Sequence, residues 1–309
     1  MSMQETFIDS KSGTRLHCVY SKPDGEVKGL VQIVHGMAEY AARYKPFMDF
    51  LNENGYLAFG HDLFGHGSTA PTTADLGYIP ISGGADMLIN DTIDTAEHFA
   101  AQYSDKPLYI MAHSMGSFIA RCVLARTGEM YTAAVLSGTG YAVPGAGLGV
   151  KIAVHRAKVK GERYYSDFVY GLAFGQYNKN MPNRTPYDWI CRDDSVVDEY
   201  LADEYCGFPF TVSSLAVLME LNVKCNLAQT FAATPKNMPI LLLSGTDDPV
   251  GDHSRGVQKV CEAYRKNGLE HAEIKLYPEA RHEVLNELNK AEVMQDMLTW
   301  YEKYTRIFR

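Results

Sequence analysis

The 309-residue sequence predicts an α/β protein with a doubly wound, mostly parallel sheet and an inserted, mainly helical segment. Three observations carry that expectation. Short β-branched apolar runs recur along the chain, helix-period stretches alternate with them, and the alternation breaks once, between Pro144 and Thr230.

Two short alternating runs, Glu5 to Asp9 and Arg15 to Tyr20, flank Lys11-Ser12-Gly13 and are expected to form an antiparallel hairpin at a sheet edge. Continuous runs follow at Leu30 to Val34, Tyr56 to Phe59, Leu108 to Met111, Ala133 to Leu136 and Ile240 to Leu243, as suits strands buried on both faces. Ala272 to Tyr277 supplies a last strand. Helix-period stretches span Tyr44 to Asn54, Gly84 to Gln102, Ser117 to Arg126, Ser254 to Asn267 and Leu288 to Tyr304. From Pro144 to Thr230 no comparable β-branched run occurs, and the stretch is too long for a plain loop. It is expected to be a cap over residues 144–230, inserted between two core pieces, residues 1–143 and 231–309.

Composition narrows the function. Apolar residues make up 46% and charged residues 21%, which suits a chain that folds throughout. A formal charge of −8 without a basic tail or stripe excludes nucleic acid as an expected partner. No charged n-region and apolar h-region opens the sequence, and no window reaches the about 18 unbroken apolar residues a membrane span needs, so a cytoplasmic protein is expected. Six cysteines are scattered without a C-x-x-C pair or zinc-ligand spacing, as for buried thiols in a reducing compartment. No H-E-x-x-H cluster and no G-x-G-x-x-G after a strand is present; neither a metal nor a cofactor is expected.

Ala112-His113-Ser114-Met115-Gly116 sits where the Leu108 strand ends and the Ser117 helix begins. A nucleophile elbow needs that context: small residues at 112 and 116 let the chain turn tightly, lift Ser114 above the sheet and aim the Met115 amide at a developing oxyanion. A buried serine in an ordinary strand-to-helix turn is the bland alternative. A serine hydroxyl needs a base, and on such sheets the partners follow in the order serine, acid, histidine, each after a later strand. Thr246-Asp247-Asp248-Pro249-Val250 follows the Ile240 strand, and Ala280-Arg281-His282-Glu283 follows the Ala272 strand. Of the four histidines after Ser114, His155 lies in the cap, His253 is too near the acid and His271 starts a strand on its wrong side. His282 remains as the base. Asp248 is preferred as the acid because Pro249 fixes the backbone after it, while Asp247 is expected to cap the next helix; Asp252 is a third choice.

His35-Gly36-Met37-Ala38-Glu39 follows the Leu30 strand, and the Met37 amide is the candidate second oxyanion donor. The run from His61 to Ser68 is expected to be structural, its glycines giving a tight loop and its histidine and aspartate bonding backbone.

Together the His35 to Glu39 run, the Asp62 to Ser68 run, His113-Ser114-Met115-Gly116, Asp248-Pro249-Val250 and Arg281-His282-Glu283 resemble the monoacylglycerol lipase and lysophospholipase branch of the α/β-hydrolases. Asp188 to Asp193, continuing through Cys206-Gly207-Phe208 to Phe210-Thr211, resembles bacterial members of that branch. The resemblance spans nearly the whole chain. It implies the α/β-hydrolase fold and a soluble or peripheral serine hydrolase of single-chain lipid esters, with oxyanion amides at Met37 and Met115. Ala112 replaces the usual glycine, and Phe64 stands where the family usually has arginine.

The cap bears on substrate. Twelve of the 51 residues from Lys160 to Phe210 are aromatic, about twice the 11% of the whole chain, which suits an apolar wall for an acyl chain as well as plain cap packing. Phe174 and Trp189 are the named candidates. Lys151, Arg156, Lys158, Lys160 and Arg163 make the one locally basic stretch, a solvated helix edge or a peripheral contact with membrane lipid. The rival enzyme is a serine aminopeptidase, whose acidic pocket Glu199, Asp203 and Glu204 would supply; a broad carboxylesterase is the other alternative. Ser114 in place of an aspartate excludes dehalogenases and epoxide hydrolases of the same fold.

Overall fold

A computed structural model describes residues 3–305. Residues 1–2 and 306–309, which belong to the expected core pieces 1–143 and 231–309, lie outside the described residues. Eight strands form one sheet: β1 (Gln4–Asp9), β2 (Arg15–Ser21), β3 (Gly29–Val34), β4 (Tyr56–His61), β5 (Leu108–His113), β6 (Ala133–Ser137), β7 (Ile240–Gly245) and β8 (Ala272–Tyr277). Their order is β1-β2-β4-β3-β5-β6-β7-β8. The β1–β2 and β2–β4 pairs are antiparallel and all others parallel. The described helices are α1 (Lys45–Glu53), α2 (Gly84–Ala100), α3 (Met115–Thr127), α4 (Ala146–Lys160), α5 (Asp167–Phe174), α6 (Asp194–Ala202), α7 (Val212–Cys225), α8 (Ala228–Ala233), α9 (Arg255–Lys266) and α10 (Lys290–Thr305).

The unbroken apolar runs become strands buried along their whole length, β3 through β7. Alternate side chains feed opposite layers, as the period of two requires. Val31, Ile33, Tyr109, Met111, Leu241 and Leu243 join a core with α1 and α10, while Leu30, Val34, Ile110 and Leu242 join the one holding α2, α3 and α9. β8 is half-exposed because it is the sheet's edge. From β3 the chain runs to β4 on one side and then to β5 on the other, which opens a crevice beyond the carboxyl ends of β3 and β5.

Helices α4 to α8 occupy the stretch between β6 and β7. α7 packs on α2 and α3, and α4 packs on α7. Their starts follow from capping side chains: Ser166, Asp193 and Thr211 accept the Val169, Ser195 and Ser214 amides at the entrances of α5, α6 and α7. Met181, Trp189, Ile190, Val197, Tyr200 and Cys206 form a small apolar cluster within this stretch. Among the described residues no helix is long and apolar enough to cross a membrane.

Two local expectations are corrected. Asp247 caps no helix: it is exposed, and α9 begins only at Arg255, with Ser254 before it. After β4, Asp62 binds backbone through the Ala41 and Ser68 amides and Nδ1 of His66 lies 3.0 Å from the Phe64 carbonyl, as expected, but both ring nitrogens of buried His61, the last residue of β4, lack partners among the described residues. Phe64 packs against the apolar core instead of placing a charge there.

Candidate active site

Ser114 joins β5 directly to α3 at φ +52° and ψ −121°, a left-handed backbone that a serine adopts only when the surroundings impose it. The Ser114 amide donates to the Ser137 carbonyl at 2.9 Å, extending the β5–β6 ladder one residue past its end. Its carbonyl accepts from the Ser117 amide at 2.8 Å and the Ser117 hydroxyl at 2.6 Å, so α3 starts at Met115, two residues before the period suggests. Gly116 has no substitute: a Cβ there would lie 2.4 Å from the carbonyl oxygens of both Val34 and His35. Ala112, paired between Val34 and Leu136 and fully buried, fits where the motif usually has glycine.

Asp248 and His282 come from the loops after β7 and β8 and meet in the interior. Nδ1 of His282 is 3.0 Å from Oδ1 of Asp248, which also accepts the Val250 amide at 2.9 Å. Asp248 is fully buried and His282 is 3% exposed. Burial opposes charge on Asp248, but the His282 ring and the Val250 amide outweigh it and hold its pKa below the ordinary carboxylate value. Burial likewise disfavours imidazolium, yet the Asp248 charge and hydrogen bond raise His282 above the ordinary histidine value. Nε2 of His282 is buried and has no partner among the described residues.

His113 links the two halves. Its ring centroid lies 4.6 Å from that of His282, and burial pushes its pKa down to about 4, keeping it neutral. Gly138 sits against both rings: a Cβ there would be 2.8 Å from Cε1 of His282 and 3.1 Å from Cε1 of His113. Gly36 lies on the other side, where a Cβ would be 3.1 Å from Cβ of Ser114 and 3.3 Å from Cδ2 of His113. The loop carrying Met37 is thus against the elbow. Among the described residues neither the Met37 nor the Met115 amide donates to a protein acceptor.

Of the two aromatic candidates, Trp189 touches the histidine: its ring is 5.1 Å from that of His282, and its carbonyl accepts the His282 amide at 3.4 Å. Phe174 stands further out. A file of rings runs from half-exposed α5 inward, Tyr170 to Phe174 at 5.0 Å, Phe174 to Tyr177 at 5.4 Å and Tyr177 to Trp189 at 5.1 Å.

Sequence reasoning missed an ion network beside the site. Arg43 donates to both oxygens of Glu283 at 2.7 and 2.8 Å and to Glu39 at 3.1 Å, all three side chains largely buried. Glu39 also accepts the Gly36 amide at 2.5 Å and the Tyr44 hydroxyl at 2.9 Å. The i,i+4 spacing of Glu39 and Arg43 was a readable signal; the contact with Glu283 crosses 240 positions and was not.

A doubly wound eight-stranded sheet with an elbow residue at its switch point defines the α/β-hydrolase class. Within that class the chain belongs to the Hydrolase_4 family, described as serine aminopeptidase, S33, whose profile matches residues 25–289. The chain is 25% identical to a monoglyceride lipase of Mus musculus, covering 90% of this chain and 86% of that protein. It is 28% identical to a monoacylglycerol lipase of Mycolicibacterium smegmatis, covering 90% and 89%. A crystal structure of a thermostable carboxyl esterase from Bacillus coagulans in complex with glycerol matches with a TM-score of 0.91 at 26% identity, covering 99% of each chain.

Proposed function

We propose that the chain is a serine hydrolase that cleaves carboxylic esters of single-chain lipids, monoacylglycerols or lysophospholipids, through an acyl-enzyme on Ser114. The buried His282–Asp248 pair with its free Nε2, whose ring lies 4.6 Å from that of His113, the residue before the strained Ser114, carries this proposal. Nε2 takes the Ser114 proton as Oγ attacks the ester carbonyl; Asp248 fixes the tautomer and stabilises the imidazolium. The Met37 and Met115 amides receive the oxyanion. Collapse expels the alcohol with the proton from His282, and water, activated by the same base, then releases the fatty acid.

The lipase and esterase relatives support an ester substrate, and the ring file ending at Trp189 supports an apolar acyl chain. Residues 144–230 act in this proposal as the cap that carries the file. The aminopeptidase alternative finds less support. Asp203 is engaged by the Tyr40 hydroxyl at 2.8 Å and the Tyr205 amide at 2.9 Å, while Glu199 and Glu204 face solvent.

The outer face of the cap supports peripheral contact with lipid. Exposed Val159 and Phe168 line an open groove of about 570 Å³ between α4 and α5 together with Lys151 and Lys160, and Leu148, Lys158 and Leu172 are exposed on the same two helices. Arg163 is not part of it, being paired with Asp75 at 2.7 Å. Cosedimentation with anionic vesicles, weakened by Lys151→Glu and Lys158→Glu, checks this contact. The hydrolase itself is tested by fluorophosphonate labelling, expected on wild type and lost in Ser114→Ala. A panel of monoacylglycerols, lysophospholipids, short esters and aminoacyl amides then reads substrate class.

A further inference from the structure

The loop that carries Met37 is held from two sides. On the core side Glu39 accepts the Gly36 amide at 2.5 Å and is itself fixed by Arg43 and Tyr44. On the other side the carbonyl of Ala38 accepts two donors from the cap, the Tyr200 hydroxyl at 3.0 Å and the Gly207 amide at 3.0 Å. Between these pins Ala38 has φ +53°, a left-handed conformation that an alanine does not hold unaided.

We propose that Tyr200 is a positioning residue that acts through the Ala38 carbonyl to keep the Met37 amide aimed at the oxyanion, so that the cap completes the catalytic geometry as well as covering it. This rests on the serine-hydrolase function proposed above. Without the hydroxyl only the Gly207 amide holds the Ala38 carbonyl, and the left-handed Ala38 relaxes toward right-handed backbone, which turns the peptide between Met37 and Ala38 and shifts the Met37 backbone from its aim. The geometry makes the hydroxyl a dedicated donor. Tyr200 is 5% exposed, and burial holds its phenol well above the ordinary tyrosine pKa, so it stays protonated at any working pH. Its ring is occupied separately, 4.9 Å from the Arg43 guanidinium and 5.2 Å from the Tyr187 ring. Arg43 grips Glu283, the neighbour of His282, so one cap side chain touches the supports of both the oxyanion loop and the base.

The test is Tyr200→Phe, which keeps the ring contacts and removes the donor. On an ester substrate kcat is expected to fall roughly tenfold with KM within about twofold, because an oxyanion donor acts in the transition state. Affinity for an alkyl boronic acid, which forms a tetrahedral adduct on Ser114, is expected to fall by the same factor. In an Ala38→Gly background, where glycine holds the left-handed backbone without strain, the same substitution is expected to cost distinctly less. A merely structural tyrosine would not show that coupling. Tyr78→Phe, which removes another hydroxyl tied to the cap, at 3.1 Å from Glu162, is expected to leave kcat unchanged. Unchanged kcat and boronate affinity in Tyr200→Phe, or a rise in KM alone, overturns the proposal while Ser114-dependent turnover stands. Turnover that survives Ser114→Ala overturns the underlying function and this proposal with it.

Discussion

The Asp248 carboxylate lies 3.0 Å from Nδ1 of His282 with both side chains withdrawn from solvent, whereas neighbouring Asp247 points outward. Asp248→Asn should therefore lower kcat by about four orders of magnitude, since an amide presents the wrong tautomer partner. Asp247→Asn should stay within about twofold. The proposed mechanism requires neutral His282, whose pKa is raised, so the acid limb of kcat/KM should lie above the ordinary histidine value of about 6.5. The residual activity of Asp248→Asn should show that limb moved to lower pH. Steady-state kinetics across pH on both variants checks each point.

Gly138 sits against the His282 ring. Its φ of +59° disfavours any side chain, and a Cβ would press to 2.8 Å on Cε1 of His282. Gly138→Ala is expected to displace the ring and cut the rate of fluorophosphonate labelling by at least about a hundredfold, because small misplacements of a reacting group are costly. Retained labelling with an unshifted thermal midpoint would contradict this geometry.

How much was readable depended on sequence distance. Continuous apolar runs reveal doubly buried strands because no polar residue fits either face, and β3 through β7 fall where those runs do. The meeting of Asp248 with His282 was legible because chain order and strand ends constrain both positions. Asp247 was misread because capping was inferred from proximity to a helix that begins eight residues later, at Arg255. The Arg43–Glu283 and Tyr200–Ala38 contacts join residues far apart in the chain, and no local pattern encodes them.

Three buried histidines tie stability to pH. His61 and His66 are pushed down to about 3 and His113 to about 4, each mainly by burial. Unfolded, each takes up a proton near pH 6.5; folded, it stays neutral until far lower pH. The unfolded chain therefore binds more protons in that window, and stability present above about pH 6.5 is lost as pH falls through it. Each group contributes at most about 1.4 kcal/mol per pH unit. His17 and His282, held above the ordinary histidine value by their aspartate partners, act in the opposite sense and offset part of this, so urea unfolding at about pH 7 and about pH 5.5 should differ by about 2 kcal/mol, with the protein less stable at the lower pH. A flat profile across that interval would mean the rings are hydrated in the folded state.

The ring file from Tyr170 to Trp189 makes a prediction about acyl length. Each methylene moved from water to an apolar wall contributes about 0.8 kcal/mol, so kcat/KM should climb with chain length until the wall is covered and then fall. Trp189 adjoins His282 and Phe174 stands two rings further out. Trp189→Ala should then weaken all but the shortest esters, while Phe174→Ala should spare medium chains and penalise long ones. An acetyl ester, reaching neither ring, reports whether the base was disturbed, which matters for Trp189 because its carbonyl also holds the His282 amide. The measurement is kcat/KM for p-nitrophenyl esters of increasing length on the parent and both variants. If both substitutions scale every ester by one common factor, the file only packs the cap and grips no chain.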